Sequence, residues 1–227
     1  MNIIVIIPAY NEEAAIGQVI AEIPKEWVRE VVVADNRSTD HTALRAKEGG
    51  ATVVYEPLPA YGRACLRGMA YIKTLPNPPD IIVFLDGDHS DYPEQLPELV
   101  KPIIEQDYDL VIGSRALGQR ERGSMTPQQV FGNWLATFLL RILYGVHYTD
   151  LGPFRAIKWE KLLALDMQDT TYGWTVEMQA KAAKHGMKTT EVPVRYRRRI
   201  GFSKISGTVK GVILAGYKII TTIFKYS

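Results

Sequence analysis

Short apolar runs alternate with helical periodicity along the first half of the chain. Ile3 to Ile7, Glu30 to Ala34, Thr52 to Tyr55, Ile81 to Leu85 and Leu110 to Ile112 read as strands. Between them, Ala15, Ile16, Val19, Ile20 and Ile23 recur at helical spacing, as do Leu96, Leu99, Val100, Ile103 and Ile104. Repeated β-α-β units predict an α/β fold: a Rossmann-like, mostly parallel, doubly wound sheet with helices on both faces, covering about residues 1–113.

The pattern changes after that point. Residues 114–125 are polar, basic and flanked by glycine, which predicts a mobile loop. A long helix follows, with Val130, Trp134, Leu135, Phe138, Leu139 and Ile142 on its apolar side. An irregular Gly/Pro stretch over 145–154 precedes a helix from about Val176 to Lys184 and a short strand at Thr190 to Val194. A basic loop and a C-terminal helix complete the chain. No repeat or linker separates the halves, so 1–227 reads as one domain.

Composition narrows the choice little. Of 227 residues, 46% are hydrophobic and 23% charged, as in an ordinary globular protein, and the net charge of +2 gives no reason to invoke nucleic acid as a partner. The single cysteine, Cys65, lies in an apolar helical pattern and reads as core, in a reducing, cytoplasmic setting. Met1 to Pro8 is too short and lacks the flanks of a signal peptide, so it reads as the first strand. No run of about 20 apolar residues predicts a membrane span.

The most informative chemistry is Asp86-Gly87-Asp88-His89-Ser90, directly after the run Ile81 to Leu85. Alternate residues of an extended chain point the same way about 6.5 to 7 Å apart, so the two carboxylates can close on one hard cation. The competing reading is an Asp/Gly-rich surface turn. Pro8-Ala9-Tyr10-Asn11-Glu12-Glu13 ends the first strand, where Tyr10 could lie against a base or Asn11 could simply cap a helix. After the second strand, Asp35 could grip a ribose or a base edge, with Ser38 or Thr39 capping the next helix.

Arg115, in Gly113-Ser114-Arg115, could reach anions at the same sheet edge. Glu177, three residues after Trp174, could be a base or a first-turn acid suited to the helix dipole. The cluster Arg195 to Arg199 reads as a basic face, and the Gly201-Phe202-Ser203-Lys204 that follows suits a phosphate-wrapping loop. The four histidines show no metal-ligand spacing, and His89 beside the acidic pair carries no assigned role.

Taken in order, Pro8 to Glu12, Asp35 to Asp40, Asp86-Gly87-Asp88, Gly113 to Arg115 and Gly201 to Lys204 resemble a family-2 glycosyltransferase of GT-A fold. Within that family the chain is most similar to the dolichyl- or polyprenyl-phosphate mannosyl- and glucosyltransferases, through Gly113 to Arg115, Asp150 to Arg155 with one additional residue, and Arg199 to Lys204.

The resemblance implies that Pro8, Tyr10, Glu12, Asp35 and Asp86 frame a nucleotide diphosphate sugar, of GDP-mannose or UDP-glucose type. It implies that Asp86 and Asp88 hold Mg²⁺ or Mn²⁺, and that Arg115, Arg199, Ser203 and Lys204 bind phosphate. Ser90 stands where relatives often carry glutamine. Residues 1–113 then form the nucleotide-binding half, and 114–227 the acceptor-binding half with a C-terminal amphipathic helix.

The expected reaction is inverting, metal-dependent transfer of a hexose to polyprenyl or dolichyl phosphate, by a protein peripheral on the inner face of the membrane. The rival within the fold is a hydroxyl acceptor with Asp150 or Glu177 as base. A nucleotidyltransferase or a non-catalytic nucleotide-sugar-binding protein ranks below both.

Overall fold

The computed structural model describes residues 1–201 and 209–226. Its strands are β1 (Ile3–Ala9), β2 (Glu30–Asp35), β3 (Thr52–Tyr55), β4 (Ile81–Phe84), β5 (Leu110–Ser114), β6 (Arg155–Lys158) and β7 (Thr189–Pro193). Its helices are α1 (Ile16–Glu22), α2 (Thr42–Glu48), α3 (Tyr61–Ile72), α4 (Leu96–Gln106), α5 (Pro127–Tyr144), α6 (Trp159–Ala164), α7 (Trp174–Lys184) and α8 (Val209–Tyr226).

One seven-stranded sheet runs in the order β3-β2-β1-β4-β6-β5-β7. The five strands expected from the apolar runs are all present. Side chains of β1 alternate between two apolar layers: Ile4 and Ile6 pack with Cys65, Met69 and Ile72 of α3, while Ile3, Val5 and Ile7 pack with Val19 of α1 and Leu99 and Val100 of α4. Each such burial contributes roughly 1.5 to 3 kcal/mol, which is why β1 is apolar at every position rather than at alternate ones.

The sheet departs from the sequence reading at its centre. The β6 strand, unforeseen beyond the Gly/Pro stretch, inserts antiparallel between β4 and β5, with Ala156 opposite both Val83 and Val111. Its four residues include a buried arginine and offer no apolar run, so pairing with two neighbours makes it a strand, not its own propensity.

The α5 helix is where expected, yet its apolar side is turned the wrong way for a core. A capping box of Thr126 and Gln129 with Pro127 opens the helix, and Gly145 in the left-handed conformation closes it. Ala136, Thr137 and Leu140 are the residues it buries, whereas Val130, Phe131, Trp134, Phe138 and Ile142 are exposed. Periodicity reports that a helix has an apolar side; it does not report what that side faces.

Candidate functional site

The carboxyl ends of β1, β2 and β4 open on one cavity of about 1100 Å³. Such edges collect ligands because strand ends and loop backbones converge there without covering one another. Pro8, Tyr10, Glu12, Asn36 and Arg37 line one part of it, Asp86 and Asp88 its floor, and Arg115, Tyr196 and Arg199 a further wall.

The loops after β1 and β2 are pinned together. The Asn11 backbone N–H donates to Ser38 Oγ at 3.0 Å, and the Thr39 N–H donates to Asn11 Oδ1 at 2.8 Å. Both capping expectations therefore fail: α1 has Ala15 and α2 has His41 at the cap position, and Asn11, Ser38 and Thr39 are spent on each other. Asp35 is buried at the end of β2 and accepts from the Ser38 N–H at 3.2 Å, so it shapes the loop, whereas Asn36 and Arg37 line the cavity itself. Non-glycine residues with positive φ gather here, at Asn11 (54°), Arg37 (64°) and His89 (63°), as is common where a site fixes its backbone against local preference.

The acidic pair is held differently at its two members. Asp86 Oδ1 accepts from the Tyr61 hydroxyl at 3.0 Å. Burial, then the neighbouring Asp88 charge, lifts its carboxyl to about 7. Asp88 is 4% exposed; its Oδ1 accepts from the Ser90 N–H at 2.9 Å and the Ser90 hydroxyl at 2.6 Å, leaving Oδ2 to face Arg199 at 2.7 Å. Ser90 thus fixes the rotamer of Asp88.

Arg197 braces the turn, donating from Nε to the His89 carbonyl at 2.7 Å, and the Ile200 N–H donates to the Asp88 carbonyl at 3.0 Å. His89 itself turns away to Glu22, at 2.8 Å. Arg195 and Arg197 both lie over the Tyr92 ring and pair with Glu94 and Glu22, so this part of the basic cluster is satisfied within the protein.

Arg115 and Asp150 form a forked pair. Oδ2 of Asp150 accepts from the Arg115 N–H and Nε at 2.7 and 2.8 Å, and Oδ1 accepts from a terminal guanidinium nitrogen at 2.7 Å. Burial opposes the guanidinium charge, and the charge and hydrogen bonds of Asp150 outweigh it, so the pKa of Arg115 is raised. The pair closes because backbones touch: a Cβ on Gly152 would stand 2.4 Å from the Gly113 carbonyl oxygen. Arg155, fully buried, secures that loop through the carbonyls of Leu151 and Gly152 and reaches Thr175 on the other side.

In the structure, the 114–125 segment expected to be mobile is tied to the 196–198 stretch. The Glu121 N–H donates to the Tyr196 carbonyl at 2.8 Å, and the Arg198 N–H donates to Glu121 Oε2 at 2.9 Å.

Glu177 is not brought to the cavity. It is wholly buried, pairs with Lys181 at 2.7 Å, and accepts from the Gln168 and Asp169 N–H groups and the Tyr226 hydroxyl. Ser203 and Lys204 lie outside the described residues.

Sequence reasoning passed over Tyr61, Arg37 and Asp91. Asp91 is buried beside the pair, and neither carboxyl oxygen has a hydrogen-bond partner among the described residues; burial, then Asp86 and Asp88, pushes its pKa well up. Its place three residues after Asp88 was the one available signal.

Two carboxylates suit a divalent cation that takes its other ligands from phosphate oxygens and water; among the described residues no third acid, histidine or cysteine joins them. A cation held there would favour the charged form of Asp86, against the burial that raises its pKa. A stability consequence follows. Between about pH 4 and 7 the folded protein keeps a proton on Asp86 that the unfolded chain has released, so stability falls as pH rises through that window. Melting temperatures of wild type and Asp86→Asn should converge near pH 4, and Asp86→Asn should melt higher at pH 8. A wild-type advantage at pH 8 without metal would contradict the assignment.

The sequence and the fold both have relatives. A model of glycosyl transferase family 2 matches residues 4–164. The chain is 34% identical to an uncharacterized glycosyltransferase of Mycobacterium tuberculosis, over 93% of each chain. It is 31% identical to the undecaprenyl-phosphate mannosyltransferase of Micrococcus luteus, over 93% of this chain and 90% of that one. Its fold matches the glucosyl-3-phosphoglycerate synthase of Mycobacterium tuberculosis, crystallised with Mn²⁺, uridine diphosphate and phosphoglyceric acid, with a TM-score of 0.77, 24% identity, and 99% of this chain and 78% of that one covered.

Proposed function

The chain belongs to glycosyl transferase family 2, a GT-A enzyme family, and on that premise we propose that it moves a hexose from a nucleotide diphosphate sugar to polyprenyl phosphate, with inversion. One observation carries the choice of acceptor. The cavity that holds Asp86, Asp88, Arg115 and Arg199 is walled elsewhere by Phe131, Leu135 and Ala136 of α5 and by Ala215, Ile219 and Ile220 of α8. At about 1100 Å³ it exceeds the usual ~300–1000 Å³ of a small-ligand pocket. An anionic head beside arginines and an apolar tail between helices is the chemistry of a lipid phosphate. The similarity to an undecaprenyl-phosphate mannosyltransferase supports the same reading.

In this proposal residues 1–113 hold the donor and 114–227 the acceptor. Pro8, Tyr10 and Glu12, with the loop that Asp35 shapes, frame the nucleotide, Tyr10 lying against the base. Mg²⁺ or Mn²⁺, held by Asp86 and Asp88 together with the donor phosphates, would supply charge for the leaving diphosphate. Arg115 and Arg199 face the phosphates, joined by Ser203 and Lys204 farther along. A phosphate acceptor is already anionic and needs alignment opposite the leaving group, not a base. Asp150 and Glu177, the candidate bases for a hydroxyl acceptor, are committed to Arg115 and Lys181. Among the described residues no helix is long and apolar enough to cross a membrane.

The test is direct. The protein is incubated with Mn²⁺, UDP- and GDP-hexoses, and either undecaprenyl phosphate or a pool of sugar and small-molecule hydroxyl acceptors. Product masses should show one hexose added to undecaprenyl phosphate. Transfer to the hydroxyl pool alone would overturn the acceptor assignment.

A further inference from the structure

We propose that the outer face of α5, with the groove beside it, is a docking surface for an anionic phospholipid membrane. Large apolar patches left in water mark interaction sites. Phe131, Trp134, Phe138 and Ile142 are 61%, 56%, 46% and 61% exposed along one side of the helix. The three rings form a continuous row, Phe131 tilted against Trp134 with centroids 5.8 Å apart and Trp134 stacked on Phe138 at 5.6 Å. Among the described residues, none of the four belongs to either apolar core.

Charge identifies the occupant. No Asp or Glu occurs anywhere in α5. Beside it runs a groove of about 350 Å³ lined by Trp134 and Phe138 together with Arg120, Arg141 and His147. None of these three pairs with a carboxylate among the described residues; the one carboxylate lining the groove, Asp150, is already taken by Arg115.

Aromatic rings next to two arginines, Arg120 and Arg141, that pair with no carboxylate among the described residues match the boundary of an anionic bilayer, where rings enter the headgroup layer and cations meet phosphates. A second copy of the chain fits worse, because a two-fold interface would bring the same cations face to face. The stripe is also continuous with the main cavity, since Phe131 belongs to both. A protein resting on α5 would therefore present the apolar end of that cavity to the bilayer. The surface stands without the acceptor assignment, and it is tested without polyprenol or donor.

Full-length protein is sedimented with vesicles of equimolar phosphatidylglycerol and phosphatidylcholine, and with phosphatidylcholine alone. It should pellet with the first and stay largely in the supernatant with the second. Trp134→Ser/Phe138→Ser should bind at least tenfold more weakly. Arg120→Gln/Arg141→Gln should lose about thirtyfold, as expected for two cations near an anionic surface. Melting temperature checks the fold of each.

A conservative variant guards against misfolding. Phosphatidylglycerol brominated on its acyl chains should quench wild-type fluorescence, and Trp134→Phe should remove most of that quenching while still pelleting. Wild type remaining in the supernatant, surface variants that pellet like wild type, or quenching that survives in Trp134→Phe would each overturn the proposal. So would a wild-type dimer that Trp134→Ser converts to monomer with no effect on vesicles.

Discussion

Asp88→Asn should reduce transfer by about 10² to 10⁴-fold at saturating acceptor. Metal charge on a leaving phosphate is worth several kcal/mol, and each 1.4 kcal/mol is tenfold in rate. The substitution keeps the shape of Asp88 while removing the charge that Oδ2 presents to the cavity, where Arg199 stands at 2.7 Å. Binding should change with it: the affinity of UDP or GDP measured by calorimetry should depend on Mn²⁺ in wild type and lose that dependence in the variant. Ser90→Ala is the graded companion, because it leaves the carboxylate and removes only the 2.6 Å hydroxyl bond that fixes it. A loss of about tenfold is expected, in line with one hydrogen bond to a charged group. Unchanged affinity for the nucleotide in Asp88→Asn, with metal present or chelated, would remove Asp88 from the metal role.

The strands that were plainest to read, β1 and β4, are buried on both faces. There the requirement for apolar side chains is absolute, and Ile3 to Ile7 and Ile81 to Leu85 announce it. β6 was invisible for the opposite reason: Arg155 is a buried charge satisfied by backbone carbonyls, and no periodicity encodes that. α5 was legible as a helix with an apolar side, but what that side faces was not, since the same i, i+4 stripe serves a core or an outer surface.

In the site, the acidic pair could be read because both carboxylates belong to one short segment. The Arg115–Asp150 pair could not, because its members lie 35 residues apart and meet only through loops closed at Gly113 and Gly152. Tyr61, whose hydroxyl holds Asp86, gave no signal at all. Glu177 looked like a base because a first-turn acid on an aromatic helix resembles one, and only its four-way satisfaction in the interior reveals a structural clamp.

Asp150 is where lipid phosphate and hydroxyl acceptors make opposite demands. As a general base, Asp150→Asn would lower turnover by about 10² to 10⁴-fold with stability and donor affinity intact. As the partner of Arg115 it should act on all three quantities together. Its carboxylate is 1% exposed and takes three hydrogen bonds from one arginine, so its loss leaves a buried guanidinium uncompensated, at a cost of about 3 to 5 kcal/mol. Asp150→Asn should therefore melt lower, bind the nucleoside diphosphate more weakly and transfer more slowly.

Arg115→Met should reproduce the loss of affinity and of transfer, and the double variant should be little worse than either single one, because the two side chains act as a unit. Glu177→Gln completes the comparison. It should lower the melting temperature through loss of the buried pair with Lys181, while its turnover, measured well below that temperature, stays near wild type. Additive losses in Asp150→Asn and Arg115→Met, or a folded Glu177→Gln that transfers nothing, would return the choice to a hydroxyl acceptor activated by a carboxylate.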